Sequence, residues 1–294
     1  MLAKFLTIIF IFLNPFSSLI PVEPSMSLSS SDDFNPRLAN IVFSIANPNF
    51  LPIRNWSINQ PEIEAKATLI FGVEKNKILY QKNIEQVLPI ASLTKLMTGL
   101  IVLEEMDLDK VITISQEAVK AYGDNGGLVI DEKISVKNLL YVLLMESSND
   151  AAMALAEVFK EVPLIDLMNK KAEELGLANT HFTDPTGYNS TNLSTALDLA
   201  ELVKYSLKEP LIWQILKTPN IDLSNHHLTN TNQLLGHWSG IIGGKTGYTD
   251  EAQGCMILVI EQIYENLVVI VLGAEERFLA TEKLINWAKE AYIW

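Results

Sequence analysis

The sequence predicts an α/β fold in which strands from both ends of the chain build one sheet and the middle supplies a helical lobe. Three observations point there. "AKATLIFGVE" and "KILYQKN" read as two strands joined by a turn at Lys75-Asn76. "GCMILVIEQIYENLVVIVLGA" reads as two more around a turn at Tyr264–Asn266, and its continuous Val/Ile/Leu content suits strands buried on both faces. Between these ends the apolar period becomes helical: "SVKNLLYVLLME" places apolar residues at 136, 139, 140, 143 and 144, one face of a helix.

The remaining elements follow in order. "MLAKFLTIIFIFLNPFSSLIPV" (1–22) has one Lys and then an apolar run from Phe5 to Leu13, the layout of a secretory signal. That run is shorter than the roughly 20 apolar residues that span a bilayer. Export is the expectation, with the segment either cleaved or kept as an N-terminal membrane anchor. Residues 23–60 are rich in Ser, Asn and Pro without sustained periodicity and read as a linker. The folded domain is placed at 61–294. Pro89 precedes a helix expected from Ser92 to about Glu105. "DAAMALAEVFK", "PLIDLMNKKAEELGL" and "STALDLAELVKYSL" supply further helices, with Gly176 at a helix C-terminus and Ser194 as the N-cap of the last. "ERFLATEKLINWAKEAYIW" closes the chain as a helix. The two groups of elements leave a seam between two lobes.

Composition limits the partners. The 294 residues are 48% hydrophobic and 19% charged, enough for a buried core. A formal net charge of −13 disfavours nucleic acid. A single cysteine, Cys255, excludes an internal disulfide framework and, in an apolar strand, reads as a buried small hydrophobe. His226, His227 and His237 suggest no metal site, because adjacent imidazoles point apart on a strand and no tight carboxylate partner accompanies them. Glu104-Glu105 and Glu173-Glu174 read as solvated helix faces.

Three short motifs carry chemistry. In "PIASLTKLMT" Ser92 and Lys95 stand three apart, so on a helix they share a face. A serine hydroxyl needs a base to become a nucleophile. Lysine serves only if burial or a second cation brings its pKa well below the ordinary value of about 10.4. At a helix N-terminus the Ser92 N–H also lies among donors that could hold an oxyanion. "GGKTGYT" (243–249) runs into apolar strand sequence, which places Lys245, Thr246 and Gly247 at or near a strand edge. A cation, a hydroxyl and a small residue beside such an edge suit a substrate carboxylate. Lys245 would also help depress Lys95 if the fold joined them. S-x-N occurs at Ser57-Asn59, Ser147-Asn149 and Ser190-Asn192. The second lies between two helical segments and faces the seam; the third is explained by helix capping.

With S-x-x-K, S-x-N and K-T-G in this order, the sequence resembles the penicilloyl-serine transferases. Within them it is most similar to the serine D-Ala-D-Ala carboxypeptidases, the low-molecular-mass penicillin-binding proteins. "HFTDPTGY" followed by "STALDLA" resembles the stretch they carry between motifs two and three, and the likeness covers about residues 61–294. Departures are Ile242 where the family usually has Asp, Gln253 where glycine is common, and Asp184 and Tyr188 in place of a frequent Asn and Leu. The resemblance implies a β-lactamase/transpeptidase-like fold, an antiparallel sheet flanked by helices with a helical lobe. It implies no cofactor and no metal. It implies that Ser92 attacks the carbonyl between two terminal D-alanines while Lys95 accepts its proton. Ser147 would relay a proton to the leaving amine, and Asn149 would hold the substrate amide and orient Lys95. Lys245 and Thr246, beside Gly247, would bind the terminal carboxylate. The N–H groups of Ser92 and Tyr248 would form the oxyanion hole.

The expected partners are a peptidoglycan stem peptide ending in D-Ala-D-Ala and, as covalent inhibitors, β-lactam antibiotics. The expected location is the periplasm or the outer face of a bacterial cytoplasmic membrane. Class A β-lactamase is disfavoured, since "HFTDPTGYN" carries no glutamate to activate a deacylating water. Two alternatives stay open: an endopeptidase acting on cross-links, and a penicillin-binding sensor that is acylated without turnover.

Overall fold

The computed structural model describes residues 52–223, 225–263 and 265–294. The segment expected to direct export, and the linker as far as residue 51, lie outside the described residues.

Strands from both ends of the chain form the central sheet. Its order is β10 (Ile241–Thr249), β11 (Gln253–Gln262), β12 (Glu265–Ala274), β2 (Ala67–Gly72) and β3 (Lys77–Lys82), with every neighbour antiparallel. Val269 on β12 sits opposite Ile70 on β2, so the two ends of the chain meet in the middle of the sheet. Alternation along each strand sorts the side chains to two cores. Leu69, Phe71, Ile257, Val259, Val268 and Ile270 face the helical lobe. Ile70, Leu258, Ile260, Val269 and Val271 pack instead with Leu284, Ile285 and Trp287 of the C-terminal helix. Both faces are covered, as the unbroken apolar runs predict.

The helical lobe is built around α1 (Thr94–Glu105), whose residues from Thr94 to Val102 are all buried. A helix buried all round lies inside a core rather than on its surface. It is entered through a single 3-10 turn, Ala91–Leu93, so the helix expected from Ser92 begins two residues later. α2 (Gln116–Val119), α3 (Val136–Met145), α4 (Asn149–Ala156), α5 (Leu164–Glu174) and α6 (Ala196–Ser206) complete the lobe. Gly176 has φ 72° at the end of α5, where a residue without a β-carbon is favoured. α7 (Pro210–Lys217) and the hairpin β8 (Asn220–Leu223)–β9 (His226–Thr229) are not among the expected elements, although Pro210 at the first helical position is a start signal.

Four expectations are corrected. The linker does not extend to residue 60. β1 (Ile53–Arg54) pairs with β13 (Tyr292–Ile293), and Trp287 of α8 (Arg277–Ala291) donates to the Asn59 carbonyl at 2.8 Å. The Arg54 guanidinium lies over Trp287 at 4.8 Å and over Tyr292 at 5.5 Å, a long-range clasp that local composition does not signal. Thr195, not Ser194, caps α6, accepting from the Asp198 N–H at 3.0 Å, while the Ser194 hydroxyl bonds Thr180 at 2.8 Å. Glu104 is not a solvated face residue: it meets Lys171 at 2.8 Å and accepts from the Tyr205 hydroxyl, tying α1 to α5 and α6. His226 and His227 do have carboxylate partners, Glu132 and Asp222, each at 2.7 Å, and the two rings serve different partners. Cys255 is buried as expected, and burial pushes its thiol up to about 11.

Candidate active site

A cleft of about 590 Å³ opens between the sheet edge and the helical lobe, lined by Ser92, Asn149, Gly187, Tyr188 and Tyr248 among others. The residues singled out in the sequence converge there. Ser92 lies in the 3-10 turn, directly after Ala91, whose φ of 48° is unusual for a residue with a β-carbon. Lys95 follows on the first turn of α1. Its amine donates to Ser92 Oγ at 3.0 Å, to Asn149 Oδ1 at 2.6 Å and to the Thr186 carbonyl at 2.6 Å. The nitrogen therefore has three polar partners, and one of them is the hydroxyl to be activated.

Ser147 and Asn149 sit in the tight connection between α3 and α4. Ser147 is held at φ 63°, Ser148 caps α4 by accepting from the Ala151 N–H at 3.0 Å, and Asn149 is its first residue. This backbone turns the Ser147 and Asn149 side chains to two different lysines. Asn149 receives Lys95 and donates through Nδ2 to the Tyr122 carbonyl at 2.6 Å, fixing which end of the amide faces the lysine. Ser147 receives the Lys245 amine at 2.8 Å.

Lys245, Thr246 and Gly247 lie on β10, the edge strand of the sheet beside the 3-10 turn. Lys245 also donates to the Thr246 carbonyl at 2.9 Å, and the Thr246 hydroxyl shares a hydrogen bond of 2.6 Å with Thr231. Gly247 allows the close approach: a β-carbon there would stand 2.9 Å from the Ser92 nitrogen and 3.1 Å from the Ala91 β-carbon. Tyr248, the next residue, exposes its ring at the cleft.

The electrostatics follow from burial. Lys95 has no solvent exposure, and loss of hydration pushes its amine down to about 7. The negative charges of Asp184, Asp124 and Asp150 oppose that push. Lys245 is also pushed well below the ordinary lysine value, first by burial and then by the charge of Lys95. Lys245 was expected to help depress Lys95, but burial is what lowers Lys95, and the repulsion between the two amines is felt at Lys245 instead.

Residues 55–276 match the D-alanyl-D-alanine carboxypeptidase family, peptidase S11. The chain belongs to this family. Among its relatives in the D-alanyl-D-alanine carboxypeptidase family is the carboxypeptidase DacF of Bacillus subtilis, 34% identical over 246 residues, covering 78% of this chain and 63% of that protein. The D-alanyl-D-alanine endopeptidase of Escherichia coli is 35% identical over 251 residues, with 80% of each chain covered. In structure the chain is similar to the DD-transpeptidase of Streptomyces K15, with a TM-score of 0.75 at 28% identity, covering 79% of this chain and all of that one. The chain thus spans under two thirds of one carboxypeptidase relative and four fifths of an endopeptidase relative.

Within this family fold, one part of the site carried no expectation and another carried a different one. The Thr186 carbonyl is the third partner of Lys95, and a backbone oxygen leaves no side-chain signal. Asn192 is not a helix-capping residue: it is fully buried, accepts from the Thr183 N–H at 3.1 Å and donates to Asp184 at 2.5 Å. The Asp-Pro-Thr-Gly run of 184–187, with Gly187 at φ 80°, is the turn signal that could have located this loop.

Proposed function

We propose that this chain is an exported serine peptidase that removes the terminal D-alanine from peptidoglycan stem peptides through an acyl-enzyme on Ser92. The observation that carries the proposal is the Lys95 amine, dehydrated and 3.0 Å from Ser92 Oγ. An amine pushed down to about 7 is substantially neutral at physiological pH and able to accept a proton.

In this reading Ser92 Oγ attacks the carbonyl carbon of the bond between the two D-alanines while its proton passes to Lys95 Nζ. The carbonyl oxygen becomes an oxyanion facing the N–H groups of Ser92 and Tyr248. Collapse breaks the C–N bond as the Ser147 hydroxyl delivers a proton to the departing amine. The proton that Lys95 took from Ser92 replaces it by way of Lys245, which leaves Lys95 neutral again to accept a proton from the incoming water. Lys245 and the Thr246 hydroxyl hold the terminal carboxylate. Arrival of that carboxylate favours the protonated form of Lys245, since an opposite charge nearby offsets the burial that disfavours it. Water then releases the shortened peptide from Ser92. β-Lactams would enter the same route and remain as a covalent adduct. The apolar run of residues 5–13 supports export, with or without membrane attachment at that end.

The experiment is a pair of incubations, one with a fluorescent penicillin and one with a D-Ala-D-Ala peptide. Labelling lost in Ser92→Ala, together with release of D-alanine, supports the proposal; unchanged labelling of the Ser92→Ala variant contradicts it. Labelling without release leaves a sensor. A second reading, cleavage of cross-links, is favoured by the endopeptidase relative that matches four fifths of each chain. A cross-linked muropeptide dimer converted to monomers, with D-alanine release slow or absent, would select it.

A further inference from the structure

One carboxylate of the site has no part in the steps above, and it is the most heavily bonded side chain near Lys95. Asp184 Oδ1 accepts from the Thr186 N–H at 2.7 Å, the Thr186 hydroxyl at 2.5 Å and the Gly187 N–H at 2.8 Å. Its Oδ2 accepts from the Asn189 N–H at 3.0 Å and from Asn192 Nδ2 at 2.5 Å. Every one of these donors lies within the loop from Thr186 to Asn192, so a single side chain closes that loop. The loop in turn supplies the Thr186 carbonyl, 2.6 Å from the Lys95 amine.

We propose that Asp184 is the positioning residue of the general base: it fixes the loop that aims the Lys95 amine at Ser92, and its negative charge biases that amine towards its protonated form. The inference rests on the reading of Lys95 as the base.

The geometry separates the two contributions. The carbonyl oxygen of Thr186 and the amide oxygen of Asn149 take the two hydrogens of the neutral amine, which leaves its lone pair directed at Ser92 Oγ. Gly187 cannot drift, because its α-carbon is pressed against the Ala91 carbonyl, where a β-carbon would stand at 2.0 Å. The charged groups facing the Lys95 amine come from each surrounding element: Asp184 from this loop, Asp124 from the loop before α3, Asp150 from α4 and Lys245 from β10. Asp184 is the foremost of the carboxylates that counter burial at Lys95. It stays ionised itself, because its hydrogen bonds hold the carboxyl below the usual range in spite of burial. The carboxylate therefore keeps the buried amine from becoming too weak a base to take the serine proton.

The test is the pH dependence of acylation by a fluorescent penicillin, measured on the full chain with thermal unfolding as a check of each variant. Asp184→Asn removes the charge, so Lys95 loses its proton more readily and the acid limb moves to lower pH by roughly one unit. The plateau rate also falls, by roughly tenfold, because the loop loses acceptors for Asn189 and Asn192. Asn192→Ala loosens the same loop without touching the charge: its plateau falls and its acid limb stays. A purely structural role predicts an unmoved limb in Asp184→Asn, or an upward shift as water reaches Lys95, and either result overturns the proposal. A downward shift in Asn192→Ala overturns it too. If the amide variant does not fold, Asp184→Glu decides: with the charge kept its limb stays at the wild-type position, and a downward move contradicts the assignment. Labelling that survives Ser92→Ala sinks the underlying reading instead, which keeps the two failures apart.

Discussion

Gly247 on the sheet edge and Ser92 in the 3-10 turn are packed so closely that a β-carbon on the glycine would stand 2.9 Å from the serine nitrogen. Its backbone is not in the left-handed region, so alanine suits the local conformation and only the contact is at stake. The strand cannot bend freely there, since Gly247 pairs with Cys255 and Lys245 with Ile257 in the sheet. Gly247→Ala should therefore part the strand from the turn by a few tenths of an ångström, displacing Tyr248 N–H from Ser92. The expected outcome is a fall in acylation rate of roughly a hundredfold with a small change in melting temperature. Loss of both together would mean that the contact is a packing feature alone.

Gly187 should behave differently. It combines φ 80° with a clash of 2.0 Å between a β-carbon and the Ala91 carbonyl. Gly187→Ala is expected to cost about 3 kcal/mol or more, read as a lowered denaturant midpoint. Gly176 has a similar φ, 72°, but nothing within 4 Å of its added β-carbon, so Gly176→Ala should cost only about 1 kcal/mol. Equal costs at the two positions would mean that backbone conformation, not contact with the nucleophile turn, sets the penalty.

Burial of Lys95 has a consequence for stability. Its folded pKa of about 7 lies below the unfolded value, so between those two pH values the unfolded chain binds more protons than the folded one. This group's contribution to stability therefore rises as pH rises from about 7 towards the ordinary lysine value. Lys95→Met removes the burial penalty. Its melting temperature relative to wild type should be most favourable at neutral pH and lose that advantage as pH increases towards 10. A difference that is constant from pH 7 to pH 10 would contradict the depressed value.

Arg54 offers a test far from the cleft. Its guanidinium lies over Trp56, Trp287 and Tyr292 and donates to the Ala291 carbonyl at 3.2 Å and the Ile58 carbonyl at 2.5 Å. Arg54→Ala should lower stability by about 1–3 kcal/mol while leaving penicillin acylation at the wild-type rate. Acylation lost in proportion to stability would tie this clasp to the site.

Much of the frame was legible because it rests on periodicity. Two apolar runs around the turn at Lys75-Asn76 and the unbroken apolar runs in 254–274 mark strands, and the helical period at 136–144 marks the lobe. The S-x-x-K spacing was legible because one helical turn is a local relation. What stayed hidden depends on contacts distant in sequence. Nothing near Arg54 announces Trp287, so residues 52–60 look like linker. Ser194 and Thr195 are both competent caps, and the choice falls to Thr195 because Ser194 is engaged by Thr180 across the loop. The Thr186 carbonyl is invisible in principle, since every residue has one. Asp184 was noticed as a departure from the family pattern, but its role emerges only when its hydrogen bonds are followed.

The central claim is that a neutral Lys95 takes the proton of Ser92. The measurement that tests it most directly is the acylation rate of the wild-type chain by a penicillin, taken from pH 5 to pH 10 with the adduct located by mass spectrometry. The account predicts an adduct on the peptide containing Ser92 and a rate that climbs to a plateau with its midpoint near pH 7. A midpoint near the ordinary lysine value, a rate indifferent to pH, or an adduct on another residue would contradict it.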